Sequence, residues 1–195
     1  KEKNGDLISG FMKKICVYCG SRTPENQVIT TAALKIGDFI AEKEWSLVYG
    51  GGKVGIMGII ADATLKANGE VIGVIPTHLK RAEVVHLGLT ELHETQDMHT
   101  RKALMESLSD AFVVLPGGFG TLDEFFEILT WRQLGIHHKP IILLNIDGYF
   151  DGLIIYMKRA LKEDFLKQDS LNLFRVAESF QECIHMLDNE PELNG

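Results

Sequence analysis

The chain has 195 residues, 45% hydrophobic and 24% charged, which is enough to bury the core of one domain and is an ordinary globular composition. Its formal net charge of −7 excludes a general nucleic-acid binder, because a phosphate backbone rewards a basic surface; a local basic pocket for one small phosphate remains open. There is no apolar run of bilayer-spanning length and no charged-then-apolar leader, so neither a membrane association nor secretion is expected.

Residues 1–11, KEKNGDLISGF, are polar and unpatterned and read as an extension before Met12; residues 12–195 read as one domain. The first strand is expected at Lys14–Tyr18, where Cys16 and Cys19 form a C-x-x-C; Cys183 is the third cysteine. A redox C-x-x-C needs a helix start, and a zinc site needs a second ligand pair that the chain does not offer. Reduced core thiols, no metal and a cytoplasmic location are therefore expected.

Helix Gln27–Lys43 and strand Ser46–Tyr49 follow, then the glycine-rich turn YGGGKVGIMG. Helix Gly58–Asn68, strand Glu70–Ile75 and helix Met98–Leu108, with Asp97 as its cap, come next. Strand Ala111–Leu115 runs into a second glycine turn, PGGFGT, and helix Thr121–Leu134. The remainder reads as strand Pro140–Leu144, helix Tyr149–Glu163, strand Leu173–Val176 and helix Ser179–Leu187. The runs VVLP and IILL do not alternate, as expected of strands covered on both faces. The predicted fold is α/β: a doubly wound, Rossmann-like parallel sheet with helices on both faces, in a single domain.

Ligands of such sheets sit outside the carboxyl ends of the strands, where both glycine turns fall. Gly50, Gly52 and Gly55 satisfy G-x-G-x-x-G, and Glu70 lies about twenty residues on, the spacing of a dinucleotide site. Glu70, however, precedes its strand, whereas the acid that takes the ribose hydroxyls follows it. A dinucleotide is therefore rejected. The glycines of Gly50–Gly58 fit either close packing of strand on helix or a phosphate, since bare backbone approaches an anion closely and the following helix presents unpaired N–H groups. The second glycine turn at another strand end favours phosphate.

Arg101 and Lys102 stand in the first turns of a helix, where the dipole disfavours cations, so either a compensating anion lies beside them or the helix start is simply solvated. Thr121-Leu122-Asp123-Glu124 has the T-x-x-E form of a capping box, which makes Glu124 either a cap or a reagent. The same helix has one apolar face of Leu122, Phe125, Phe126 and Leu129. A second side carries Glu124 with Ile128, Trp131 and Leu134. Two apolar sides imply burial from two directions, and a homodimer is expected to cover the second.

The motifs CVYCGS, YGGGKVGIMG, GVIP, MHTRK, PGGFGTLDE and WRQLGIHHKP together resemble the LOG ("lonely guy") family of cytokinin-activating phosphoribohydrolases, long described as lysine decarboxylases. The resemblance covers nearly the whole chain from Met12. It implies hydrolysis of the N-glycosidic bond of N6-modified adenosine 5′-monophosphates, and of AMP, without a cofactor. It implies that Arg101 and Glu124 are the catalytic pair. Substrate-binding positions are expected at Glu83, Lys102, Gly117, Gly118, Phe119, Gly120, Thr121, Leu122, Asp123 and Thr130, with Ser21, Gly50, Gly51 and Gly52 beside them. Nothing in the sequence marks a pyridoxal Schiff-base lysine. The competing reading is a carrier of a phosphorylated, nucleotide-like ligand, as in molybdenum-cofactor carriers.

Overall fold

The structure, a computed structural model, describes residues 13–80 and 85–189. The polar head at 1–11 and Glu83 lie outside the described residues. The strands are β1 (Lys14–Tyr18), β2 (Ser46–Tyr49), β3 (Glu70–Pro76), β4 (Glu91–Thr95), β5 (Ala111–Val114), β6 (Ile141–Leu144) and β7 (Arg175–Ala177). The helices are α1 (Gln27–Glu42), α2 (Gly55–Lys66), α3 (Met98–Leu108), α4 (Phe119–Gln133), α5 (Asp151–Lys162) and α6 (Phe180–Asp188).

All strand pairs are parallel, in the order β4-β3-β2-β1-β5-β6-β7. Side chains alternate across this sheet and build a core on each face. Ile15, Val17, Leu47, Tyr49 and Val113 pack with α1, α2 and α6. Cys16, Tyr18, Val48, Phe112 and Val114 pack with residues of α3, α4 and α5. The doubly wound expectation therefore holds, with strands buried on both sides.

β4 was not expected. Its sequence, ELHET, is mostly exposed at the sheet edge, where only one neighbour and one covered face are required, so it lacks the apolar signature of the inner strands. The two glycine turns also lead into their helices earlier than expected: α2 begins at Gly55 instead of Gly58, and α4 at Phe119 instead of Thr121. Ile128, expected on the partner-facing side of α4, is 1% exposed and belongs to the chain's own core.

The strand order fixes where a ligand can sit. The chain lays β1 to β4 outward in one direction, then returns to place β5 on the other side of β1. The loops leaving β1 and β5 consequently diverge, and a crevice opens between them at their carboxyl ends. Two backbone bonds hold its floor: Leu115 N–H to the Tyr18 carbonyl at 2.9 Å, and Gly20 N–H to the Pro116 carbonyl at 3.1 Å.

Candidate active site

The crevice is a cavity of about 420 Å³. One wall is the β1 loop, with Cys19, Gly20, Ser21 and Arg22; the other is Pro116 to Thr121, and Arg101 and Glu124 also line it.

Gly118 is the N-cap of α4 and supplies no side-chain cap. The N–H groups of Phe119, Gly120 and Thr121 therefore begin the helix without carbonyls four residues back, and the helix dipole adds partial positive charge there. A Cβ added at Gly118 or Gly120 would meet nothing within 4 Å. Glycine at these positions leaves open space beside free donors, the form of an anion site. Gly117 differs: a Cβ there would collide with the Thr121 hydroxyl and lie 2.8 Å from Gly20 N.

The first glycine turn is built otherwise, and most of it takes the packing alternative. The Met57 N–H at the start of α2 already donates to the Gly20 carbonyl at 3.3 Å. A Cβ at Gly55, whose φ is +66°, would run into the Ser21–Arg22 backbone. Gly51 takes a φ of +79° and Gly52 bridges to Val85, and neither lines the cavity. Gly55 thus packs the β1 loop against α2, whereas Gly51 lies against Ile75 and Leu92. Gly50 does line the cavity, and a Cβ there would strike the Arg101 guanidinium.

Arg101 projects from α3, whose N-cap Asp97 accepts from Thr100 N–H at 2.8 Å as expected. Its guanidinium donates through Nε to the Val74 carbonyl at 3.0 Å and through Nη2 to the Gly50 carbonyl at 3.4 Å. Its Nη1 stands 3.6 Å from Glu124 Oε1, too long for a hydrogen bond and within reach of an ion pair. Both residues are buried, at 6% and 8% exposure. The anion beside the α3 cations is thus the protein's own: Glu124 for Arg101, and for Lys102 the carboxylates of Asp123 at 2.9 Å and Glu127 at 3.1 Å.

The capping-box reading of Glu124 fails on helix position. A capping box needs Thr121 at the N-cap, but Gly118 holds that place and Thr121 already lies inside α4. Glu124 is on the second turn, facing the cavity.

Of the expected substrate-binding residues, Ser21, Gly50, Gly117, Gly118, Phe119, Gly120 and Thr121 line the cavity. Lys102, Leu122, Asp123 and Thr130 do not: Lys102 and Asp123 bind each other, Leu122 packs beside the core, and Thr130 is exposed. Sequence reasoning missed Arg22, Met57 and Tyr149. Arg22 directly follows the CGS of the β1 loop, so the rule that ligands bind at the switch point could have found it.

Cys19 touches the cavity, but burial, with nearby Glu124 adding to it, pushes its thiol well above the ordinary range. It is not a thiolate nucleophile. The three cysteines are free and buried, as expected.

The sequence profile of a family described as "Possible lysine decarboxylase" matches residues 57–187. A probable cytokinin riboside 5′-monophosphate phosphoribohydrolase of Oryza sativa subsp. japonica, LOGL9, is 41% identical over 187 residues, covering 96% of this chain and 82% of its own. The chain belongs to the LOG family. The cytokinin riboside 5′-monophosphate phosphoribohydrolase LOG7 of Arabidopsis thaliana is 40% identical over 93% of this chain and 84% of its own. Among solved structures, the molybdenum cofactor binding protein of Rippkaea orientalis is 24% identical, with a TM-score of 0.68, covering 92% of this chain and 98% of its own. That likeness is one of fold. The decarboxylase description of the LOG profile sits poorly with Lys102, the one buried lysine among the described residues. Burial works against its charge, but Asp123 and Glu127 outweigh it and raise its pKa, whereas a Schiff-base lysine needs a lowered one. Among the described residues no helix is long and apolar enough to cross a membrane.

Proposed function

We propose that this LOG-family chain hydrolyses the N-glycosidic bond of adenosine 5′-monophosphates, N6-modified cytokinin nucleotides and AMP, releasing free base and ribose 5-phosphate. The observation that carries this reading is a buried arginine–glutamate pair, 3.6 Å apart, in the wall of a cavity that also holds an uncapped helix start. The names of the plant relatives supply the substrate class.

In this reading the 5′-phosphate binds the N–H groups of Gly118 to Thr121, with Arg22 at the mouth. That remote grip places the sugar over Glu124. As the C1′–N9 bond breaks, its electron pair leaves with the base and positive charge builds on the sugar. The Glu124 carboxylate stabilises that charge and orients a water, whose oxygen bonds to C1′ while its proton passes by way of Glu124 to solvent or the departing base. Arg101, held by two carbonyls, orients Glu124. No metal or organic cofactor enters the scheme.

A carrier that retains its ligand has no use for a buried ion pair directed at the sugar, and removing either partner of such a pair is costly; this favours the hydrolase. The test is incubation with a panel of purine and pyrimidine 5′-monophosphates, with chromatographic detection of released base. Release from adenosine 5′-monophosphates ahead of the others is expected, and no release from any of them would contradict the reading.

We further propose a homodimer acting in the cytoplasm. Leu134 and Ile136, at the end of α4 and just beyond it, are 69% and 62% exposed beside half-buried Trp131, and an isologous contact with a second copy would cover them. Sedimentation at micromolar concentration is expected to give a dimer; a monomer would contradict this. The free thiols fit a reducing compartment.

A further inference from the structure

Tyr149 belongs to neither glycine turn, yet it lines the cavity, and its hydroxyl donates to the Gly117 carbonyl at 2.8 Å. Its backbone comes from the turn between β6 and α5, which is unusually constrained. Asp147 and Gly148 both have left-handed backbones, with φ of 54° and 67°, and such strain in a non-glycine residue persists only where its surroundings impose it.

Those surroundings are present. Asp147 Oδ2 accepts from Asn26 Nδ2 at 2.9 Å. Asn145, 2% exposed, accepts from Phe150 N–H at 2.7 Å and donates to Asp151 at 2.8 Å and Glu178 at 3.0 Å. The turn therefore fixes the backbone that carries Tyr149, whose half-exposed side chain reaches the cavity wall.

What that hydroxyl holds is the peptide between Gly117 and Gly118. A trans peptide is planar, so its carbonyl and its N–H point in opposite directions; fixing the Gly117 carbonyl fixes the direction of the Gly118 N–H. Flanked by two glycines, this plane has little intrinsic resistance to rotation. Rotated, it would direct carbonyl oxygen instead of N–H at a bound anion.

We propose that Tyr149 is a positioning residue that holds the Gly117–Gly118 peptide in its anion-accepting orientation and so sets affinity for the phosphate of the ligand. The proposal rests on the phosphate site of the hydrolase reading and is tested apart from hydrolysis. Calorimetry with ribose 5-phosphate on the wild type and on Tyr149→Phe, which keeps the ring, is expected to show a loss of about 3- to 10-fold in the variant, the scale of one hydrogen bond. kcat/KM for AMP should fall by about the same factor or more, with KM rising and kcat falling together, while the melting temperature stays within about 4 °C of wild type. If the wild type binds ribose 5-phosphate but releases no base from AMP, the hydrolase reading fails and the binding comparison still decides the role of Tyr149. Equal affinity in the two proteins, no binding by the wild type, or a loss accompanied by a larger fall in melting temperature would each overturn the proposal.

Discussion

Glu124→Gln is expected to lower kcat on AMP and on N6-isopentenyl-AMP by about 10²-fold or more, the scale of a positioned acid–base or electrostatic group. The substitution removes the charge and nearly preserves the shape. It is a clean test because Gly118, not Thr121, caps α4, so no helix cap is lost with the carboxylate. Arg101 keeps its Val74 and Gly50 carbonyls, and the glutamine amide oxygen can still face it. Loss of the buried charge partner should cost about 1–3 kcal/mol of stability, which a denaturation midpoint measured beside the kinetics will report. Affinity for the nucleotide should persist, since the proposed phosphate site is at the start of α4. Near wild-type turnover on both substrates by folded variant would remove Glu124 from the chemistry.

The 5′-phosphate should be close to mandatory. Adenosine and its N6-isopentenyl form should show kcat/KM values about 10³-fold below those of the corresponding monophosphates. The cavity offers the phosphate several backbone donors at one helix start, and bonds from such donors to a charged acceptor contribute about 1.5–3 kcal/mol each; three at the low end already reach that factor. A chain with a net charge of −7 does not attract an anion by its overall field, so the grip must be local. Part of the binding energy positions the sugar, so kcat should fall along with the rise in KM. Comparable kcat/KM for adenosine and AMP would mean that the open glycines at 118 and 120 serve something else.

Much of this was legible in the sequence, for definite reasons. Inner strands such as VVLP and IILL announce themselves because both faces are buried, and Asp97 announces α3 because a side-chain cap is a local device. The polar edge strand β4 was invisible because an edge needs little apolar surface. The helix starts at Gly55 and Phe119 were misplaced because their N-caps, Val54 and Gly118, offer no side-chain cap to read. The cations of α3 left a compensating anion or a solvated helix start open, because their partners, Glu124, Asp123 and Glu127, come from a helix that only the tertiary fold brings alongside. Tyr149 was missed for the same reason: it reaches the loop after β5 from the turn after β6, a proximity set by strand order rather than by spacing.

The central claim, turnover in place of carriage, is tested most directly by following N6-isopentenyl-AMP in a single reaction with wild-type protein, measuring intact nucleotide, free base and ribose 5-phosphate together. The account predicts base and ribose 5-phosphate in equal amounts, at many equivalents per protein chain. Intact nucleotide retained at one equivalent per chain, with no base released, would contradict it.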